Sequence, residues 1–222
     1  MDIDAINREL VALGISGVDR YCAKLVSNQK DTDRLDDLLS EANAAMMFSS
    51  AGFSVEMSDR PDLWLTSHGQ LVAAEVKHFR WKQQDTNDNV ALHNHAGRLV
   101  EYGDAVPIEG VTAWDQIANV ARRKAAQFRR QQPYLLVIQS SSTYCVDDIV
   151  VRTATNILNE ESEARSAKET SPLCGIVFLS QETRAISGQN VYYFEMNSPR
   201  NPIPQPVVGT LNLLRHWRPV SS

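Results

Sequence analysis

The chain has 222 residues, 43% of them hydrophobic, and a net charge of −5. That length suits one sizeable α/β domain or two small ones, and no apolar run approaches the length a membrane span needs. The acidic balance argues against a histone-like coating protein but leaves nucleic-acid enzymes open, because local fields outweigh the sum.

Residues 1–30 read as one or two helices, with Ile6, Leu10, Val11 and Leu13 as the apolar side of the first. The opening MDIDAINREL is polar and acidic, unlike a secretory signal. Cys22, Cys145 and Cys174 form no C-x-x-C pair, so neither a disulfide framework nor a thiolate metal site is expected. A reducing cytoplasm is the expected compartment.

Asp31-Thr32-Asp33 is a helix start with acidic groups near the positive end of the dipole. The helix runs to about Ala51 on a stripe of Leu35, Leu38, Leu39, Ala42, Ala45 and Met46, and Gly52 stops it. Phe53 to Met57 alternates like a strand. Arg60 to Phe79, RPDLWLTSHGQLVAAEVKHF, supplies two more strands. A polar stretch from Arg80 to Thr112 carries little periodicity and reads as an insertion or loop; His93 and His95 within it lack a third ligand nearby and read as polar loop residues. Ala113 to Arg130 is a helix with Ile117, Val120, Ala121, Ala125 and Phe128 on one side. Pro133 to Gln139 is a buried strand, Asp147 to about Arg165 a helix, and GIVFLS and VYYFEM two later strands. Asn197 to Pro206 is extended, and Val207 to Trp217 is a short strand or helix. The order implies one α/β domain with a mixed sheet.

The hairpin carries the chemistry. A two-residue turn at His68-Gly69 makes Ser67 face Gln70 and, counting outward, Trp64 face Ala73 and Asp62 face Glu75. Opposed residues share a face with Cβ atoms about 5 Å apart, and alternation puts Lys77 beside Glu75. The other face, Leu63, Leu65, Val72, Ala74 and Val76, is apolar and must be core. Trp64, on the charged face, is expected to pack under the preceding helix. Two opposed carboxylates destabilise a sheet. A divalent cation removes the conflict, and hard oxygen ligands with places left for water and phosphate suit Mg²⁺. A lysine beside such a site can serve an attacking water and offset charge developing on a phosphate. This pattern describes metal-assisted phosphodiester hydrolysis.

Pro61-Asp62, twelve intervening residues, then Glu75-Val76-Lys77 resembles the PD-(D/E)XK nuclease superfamily. So does its setting: a preceding helix carrying Glu41, and a following helix, WDQIANVARRKAAQF, before the strand PYLLVIQ. The resemblance implies a restriction-endonuclease-like mixed β-sheet flanked by helices in a single domain over residues 31–222. Its core would span about 31–139, with 80–112 as an insertion and 1–30 as an N-terminal helical extension. It further implies that Asp62, Glu75 and the Val76 carbonyl hold Mg²⁺, with Mn²⁺ as substitute. Lys77 would position the nucleophilic water, and Glu41 would complete the acidic cluster directly or through water. The activity implied is a bacterial DNA endonuclease of restriction, defence or mobile-element type. Exonuclease action stays open, although Gln116 followed by Val120 departs from the Q-x-x-x-Y pattern of the recombination-exonuclease branch.

The expected partner is nucleic acid, DNA in preference to RNA, with a homodimer or partner subunit open and no membrane. Arg122, Arg123, Lys124, Arg129 and Arg130 cluster on the Ala113–Arg130 helix. They read either as phosphate contacts or as a solvated basic face. Gln116 and Lys124 fall on nearly one face of that helix, which is expected to look toward the site. Arg80 and Lys82, just beyond the Glu75–Lys77 motif, could touch a nucleic-acid backbone or stand exposed. Two other readings remain: a non-catalytic nucleic-acid- or protein-binding module on the same fold within a larger complex, and an enzyme acting on a smaller phosphate ester.

Overall fold

The computed structural model describes residues 2–79, 112–127, 132–140, 146–164, 172–180, 191–214 and 217. Helices α1 (Ile3–Ala12), α2 (Val18–Ser27) and α3 (Thr32–Ser50) precede strands β1 (Ser54–Met57), β2 (Leu63–Ser67) and β3 (Gln70–Phe79). Helix α4 (Ala113–Gln127), β4 (Tyr134–Ser140), α5 (Asp148–Ala164), β5 (Leu173–Ser180), β6 (Val191–Glu195) and α6 (Gln205–Leu213) follow. The Val207 stretch is therefore helical. The six strands form one sheet in chain order. β1, β2 and β3 pair antiparallel, β3, β4 and β5 parallel, and β6 antiparallel to β5.

Helix starts follow their caps. The side chain of Asp2 accepts from the Ala5 N–H, and that of Asp31 from the Arg34 N–H, both at 3.0 Å, so each satisfies a backbone donor that the first turn leaves open. Helix α3 then buries Leu38, Ala42, Ala44, Ala45, Met47 and Phe48.

The sheet has a layer of helices on each face. Leu63, Leu65, Val72, Ala74, Val76, Leu135 and Val137 point into one core with α1, α2, α3 and α6. Ala73, Leu136, Ile138, Ile176 and Phe178 point into another with α4 and α5. Every residue of β4 is buried, which accounts for its near-continuous apolar sequence: a central parallel strand is covered on both sides.

Two expectations need correction. Val11 is 58% and Leu13 37% exposed. Helix α1 stops at Ala12, so Leu13 sits at its cap and only Leu10 is buried. Trp64 packs with the α4/α5 cluster and not under α3, because it lies on the same sheet face as Ala73.

The α1–α2 connection closes the sheet edge at β1. Ser16 bridges Glu56. The Ser16 N–H donates to the Val55 carbonyl at 3.0 Å, and the Met57 N–H donates to the Ser16 carbonyl at 2.9 Å. Covering an edge strand in this way removes a site for unwanted pairing. The approach needs glycine next door: Gly17 has φ +78°, and a Cβ there would lie 2.2 Å from the Met57 carbonyl oxygen.

Gly14 and Gly17 separate backbone strain from close approach. Gly14 has φ +71° with nothing within 4 Å of a built Cβ, so Gly14→Ala is expected to cost only the left-handed penalty, about 1–2 kcal/mol. Gly17→Ala adds a backbone clash and is expected to cost at least about 1 kcal/mol more, or roughly 2–4 °C further off the midpoint. Thermal unfolding of the two variants measures this difference, and equal losses would show that the contact with β1 contributes nothing.

Candidate functional site

The site is assembled at the open end of the β2–β3 hairpin. His68 and Gly69 have φ of +51° and +72°, both positive, as a two-residue type I′ turn requires. That turn sets the register Ser67↔Gln70 through Leu63↔Ala74. The ladder stops at Leu63, and Asp62 takes over one step beyond it. Its Oδ2 accepts the Val76 N–H at 2.8 Å, so a side chain replaces the backbone partner that another ladder step would have supplied. In a strand the N–H and C=O of one residue face the same neighbour. The Val76 carbonyl is therefore directed to the side where β2 has ended.

Three carboxyls converge from three elements. Glu75 is half-buried on β3 and Asp62 is half-buried before β2. Glu41 is buried on α3, at 7% exposure. Burial, and then the nearby Glu75 charge, push the Asp62 carboxyl up to about 6, against the opposing pull of the Val76 N–H, Lys124 and Lys24. Burial, and then the Asp62 charge, push Glu41 up to about 8, against Arg34 and Lys24. Asp62 thus lies electrically between the other two. The displacement has the sign expected for carboxylates that are desolvated and mutually repelling.

Cations flank the row from both sides of the sheet. On the α4 side, the Lys124 Nζ is ion-paired with Glu75 Oε1. Lys77 lies on that face of β3, two residues from Glu75, and among the described residues it makes no ion pair. On the other side, Lys24 of α2 is ion-paired with Asp59 and also acts on Asp62 and Glu41. Tyr21 fixes α2 to α3 by donating its hydroxyl to the Leu38 carbonyl at 2.6 Å. Burial, with the Glu41 charge adding to it, raises the phenol's pKa.

The other sequence candidates divide. Arg122 is committed to Glu161 of α5, with Nε donating to Oε2 at 3.0 Å, so it ties two helices together. Arg123 is exposed, and Gln116 is half-buried two turns before Lys124. Arg80, Lys82, His93, His95, Phe128, Arg129, Arg130 and Cys145 lie outside the described residues. Lys24, Tyr21 and Arg34 were not expected at the site. The sequence does carry a signal for Lys24: it falls between Tyr21 and Leu25 on the buried side of α2, and a lysine that interrupts an apolar stripe brings its stem to the core and its ammonium to a polar edge.

The donor chemistry fits a hard divalent cation: two carboxylates and a backbone carbonyl, all oxygen. Among the described residues, no group of three or more His, Cys, Asp or Glu side chains is arranged to hold a metal ion. Mg²⁺ suits this arrangement, since it keeps several waters and takes one or two carboxylates in place of a full protein cage. Comparison with known proteins finds nothing similar: no family model, no curated protein and no solved structure matches the chain.

The raised carboxyls give a pH signature without metal. A carboxyl whose folded pKa lies above its unfolded value favours the fold below the unfolded value, and that contribution is lost as pH rises through the folded one. For Glu41 the window runs from its ordinary 4.5 up to about 8. In chelator, stability is expected to fall between those limits. Glu41→Gln is expected to flatten the slope and to gain about 1–2 kcal/mol at pH 8–9, or roughly 2–8 °C. Thermal melts across pH on both proteins check this; an unchanged slope in the variant would remove Glu41 as its source.

Proposed function

We propose that the protein is a Mg²⁺-dependent nuclease that hydrolyses phosphodiester bonds, with DNA as substrate, on a sheet of the restriction-endonuclease-like kind. One observation carries the reading. A hairpin register brings Asp62 against Glu75 and Val76 at the point where strand pairing stops, with Lys77 on the Glu75 face and in no ion pair among the described residues. A carboxylate pair that costs stability, with a lysine on the same strand face, is an arrangement suited to chemistry.

In this reading Asp62, Glu75 and the Val76 carbonyl would hold the cation, and Glu41 would act through water from behind Asp62. The cation supplies Lewis-acid polarisation of a phosphoryl oxygen and acidifies a water. The rest falls to the chain. The Val76 N–H orients the Asp62 carboxylate through the 2.8 Å hydrogen bond. Lys77 positions the attacking water and offsets charge developing on the phosphate. Arg123, exposed on α4, would touch the phosphate backbone without reading sequence.

The Lys124–Glu75 ion pair favours a second reading, a non-catalytic binding module on the same fold, because it balances one carboxylate without a metal.

Calorimetry with Mg²⁺ and Mn²⁺, then plasmid cleavage, separates the two. The wild type is expected to bind a divalent cation and to nick DNA only in its presence, and Asp62→Ala to lose both. Lys77→Met is expected to keep cation binding while cleavage falls about 100-fold or more, the ordinary size of a lost proton-transfer or charge-stabilising group. Cleavage by Lys77→Met at the wild-type rate would sink the assignment of roles. A wild type that binds no cation and leaves plasmid, linear DNA and RNA intact would establish the binding module instead.

A further inference from the structure

Lys77 is the lysine of the motif, yet Lys124 is the one that holds Glu75. Lys124 comes from α4, 49 residues further along the chain, and its ion pair with Glu75 is largely shielded: the two side chains are 24% and 15% exposed. The position is not incidental to the helix. Lys124 falls between Ala121 and Ala125, both buried, so its stem runs along the apolar α4/α5 core. That packing aims its ammonium at the end of β3. An exposed pair contributes little, but a shielded one is strongly coupled, and removing either partner leaves the other uncompensated.

The same ammonium also acts on Asp62. Lys124 therefore faces both carboxylates that would hold a cation, while its own helix supplies no competing acid: Asp115, in the first turn of α4, accepts from the N–H and hydroxyl of Thr112. The acidic row thus has a positive group already seated on it.

We infer that Lys124 is the built-in counter-ion of the site: it occupies Glu75 when no metal is bound and is displaced when a divalent cation arrives, leaving its ammonium for a substrate phosphate. The inference rests on the metal-dependent reading above and deepens it. The two positive groups cannot both hold Glu75 in full, so their binding is linked with negative sign. The ammonium pairs with Glu75 without metal, and its release ties cation binding to a positive charge newly free at the site. Lys77, which makes no ion pair among the described residues, is not part of this exchange. Lys124 is in these terms a positioning residue for Glu75 and a phosphate contact only after displacement.

Calorimetric titration with Mg²⁺ on wild type, Lys124→Met and Lys124→Arg tests it. Lys124→Met is expected to bind Mg²⁺ about 10-fold more tightly, because the competing charge is gone, while Lys124→Arg stays near the wild type. Cleavage at saturating Mg²⁺ is expected to fall in Lys124→Met, although the cation is held better. A merely structural lysine would lower the melting temperature and leave the affinity unchanged or weaker, and that result overturns the inference. In the wild type, the resonance of an isotope-labelled dimethyl-Lys124 is expected to move on addition of Mg²⁺; a resonance that stays in place while the protein binds Mg²⁺ also overturns it, whether or not the variants fold. A wild type that binds no Mg²⁺ overturns the metal-dependent reading and this inference together, whereas binding with unchanged affinity in Lys124→Met overturns the counter-ion alone.

Discussion

The register of the β2–β3 hairpin fixes where every charged group at the end of the sheet stands. Side chains alternate with period two, so a slip of one residue would turn Leu63 and Leu65 out of the core and Asp62 away from Glu75. Two constraints prevent it. The turn at His68 and Gly69 admits only a two-residue connection with both φ positive. The Leu63, Leu65, Val72, Ala74 and Val76 face is buried under α1, α2, α3 and α6. With both satisfied, Asp62 has to arrive beside Val76, and it takes the N–H that the ended ladder leaves open.

The electrostatic cost of that arrangement is offset first by the Val76 N–H of the hairpin and then by the helices. Glu41 and Asp62 are both held above the ordinary carboxylate range, chiefly by burial. Lys24 draws them down from α2 and Lys124 draws Asp62 down from α4, on opposite faces of the sheet. Each of these lysines, like Glu41 itself, interrupts an apolar helical stripe. A chain selected only for packing would fill those three positions with apolar residues. The charges are therefore supported from both layers at once, and the Tyr21 bond to Leu38, with buried Val18 and Leu25, holds α2 at the height from which it presents Lys24.

What could be read from the sequence was what is local. The hairpin register follows from a turn and an alternation over a few residues, and helix α3 from its cap and stripe. The long-range contacts were another matter. Lys124 lies on a face that periodicity alone directs toward the sheet, but its pairing with Glu75 depends on where β4 places α4, which no local pattern encodes. Trp64 shows the same limit. Its face was legible from the register, whereas the layer covering that face was not, because the choice between α3 and α4 is made by the handedness of the β3–α4–β4 crossover. Arg122 reads as one of a basic cluster until Glu161, 39 residues away, claims it.

The direction of the strands decides where a substrate would meet this site. β3, β4 and β5 run parallel, so Phe79, Ser140 and Ser180 lie side by side at the one carboxyl end of these strands. Open α/β sheets bind ligands in the crevice beyond the carboxyl ends of their strands. Glu75 and Lys77 lie in the later half of β3, on the approach to that end, and β2, running the other way, begins there just after Asp62. The antiparallel hairpin thus delivers a carboxylate to the edge where the parallel part of the sheet opens. A wholly parallel sheet would have needed a crossover of a dozen or more residues to bring in the second acid, whereas here a two-residue turn suffices. That economy of connection ties the acidic pair to the most local element of the fold, and leaves the surrounding layers free to supply the positive charge.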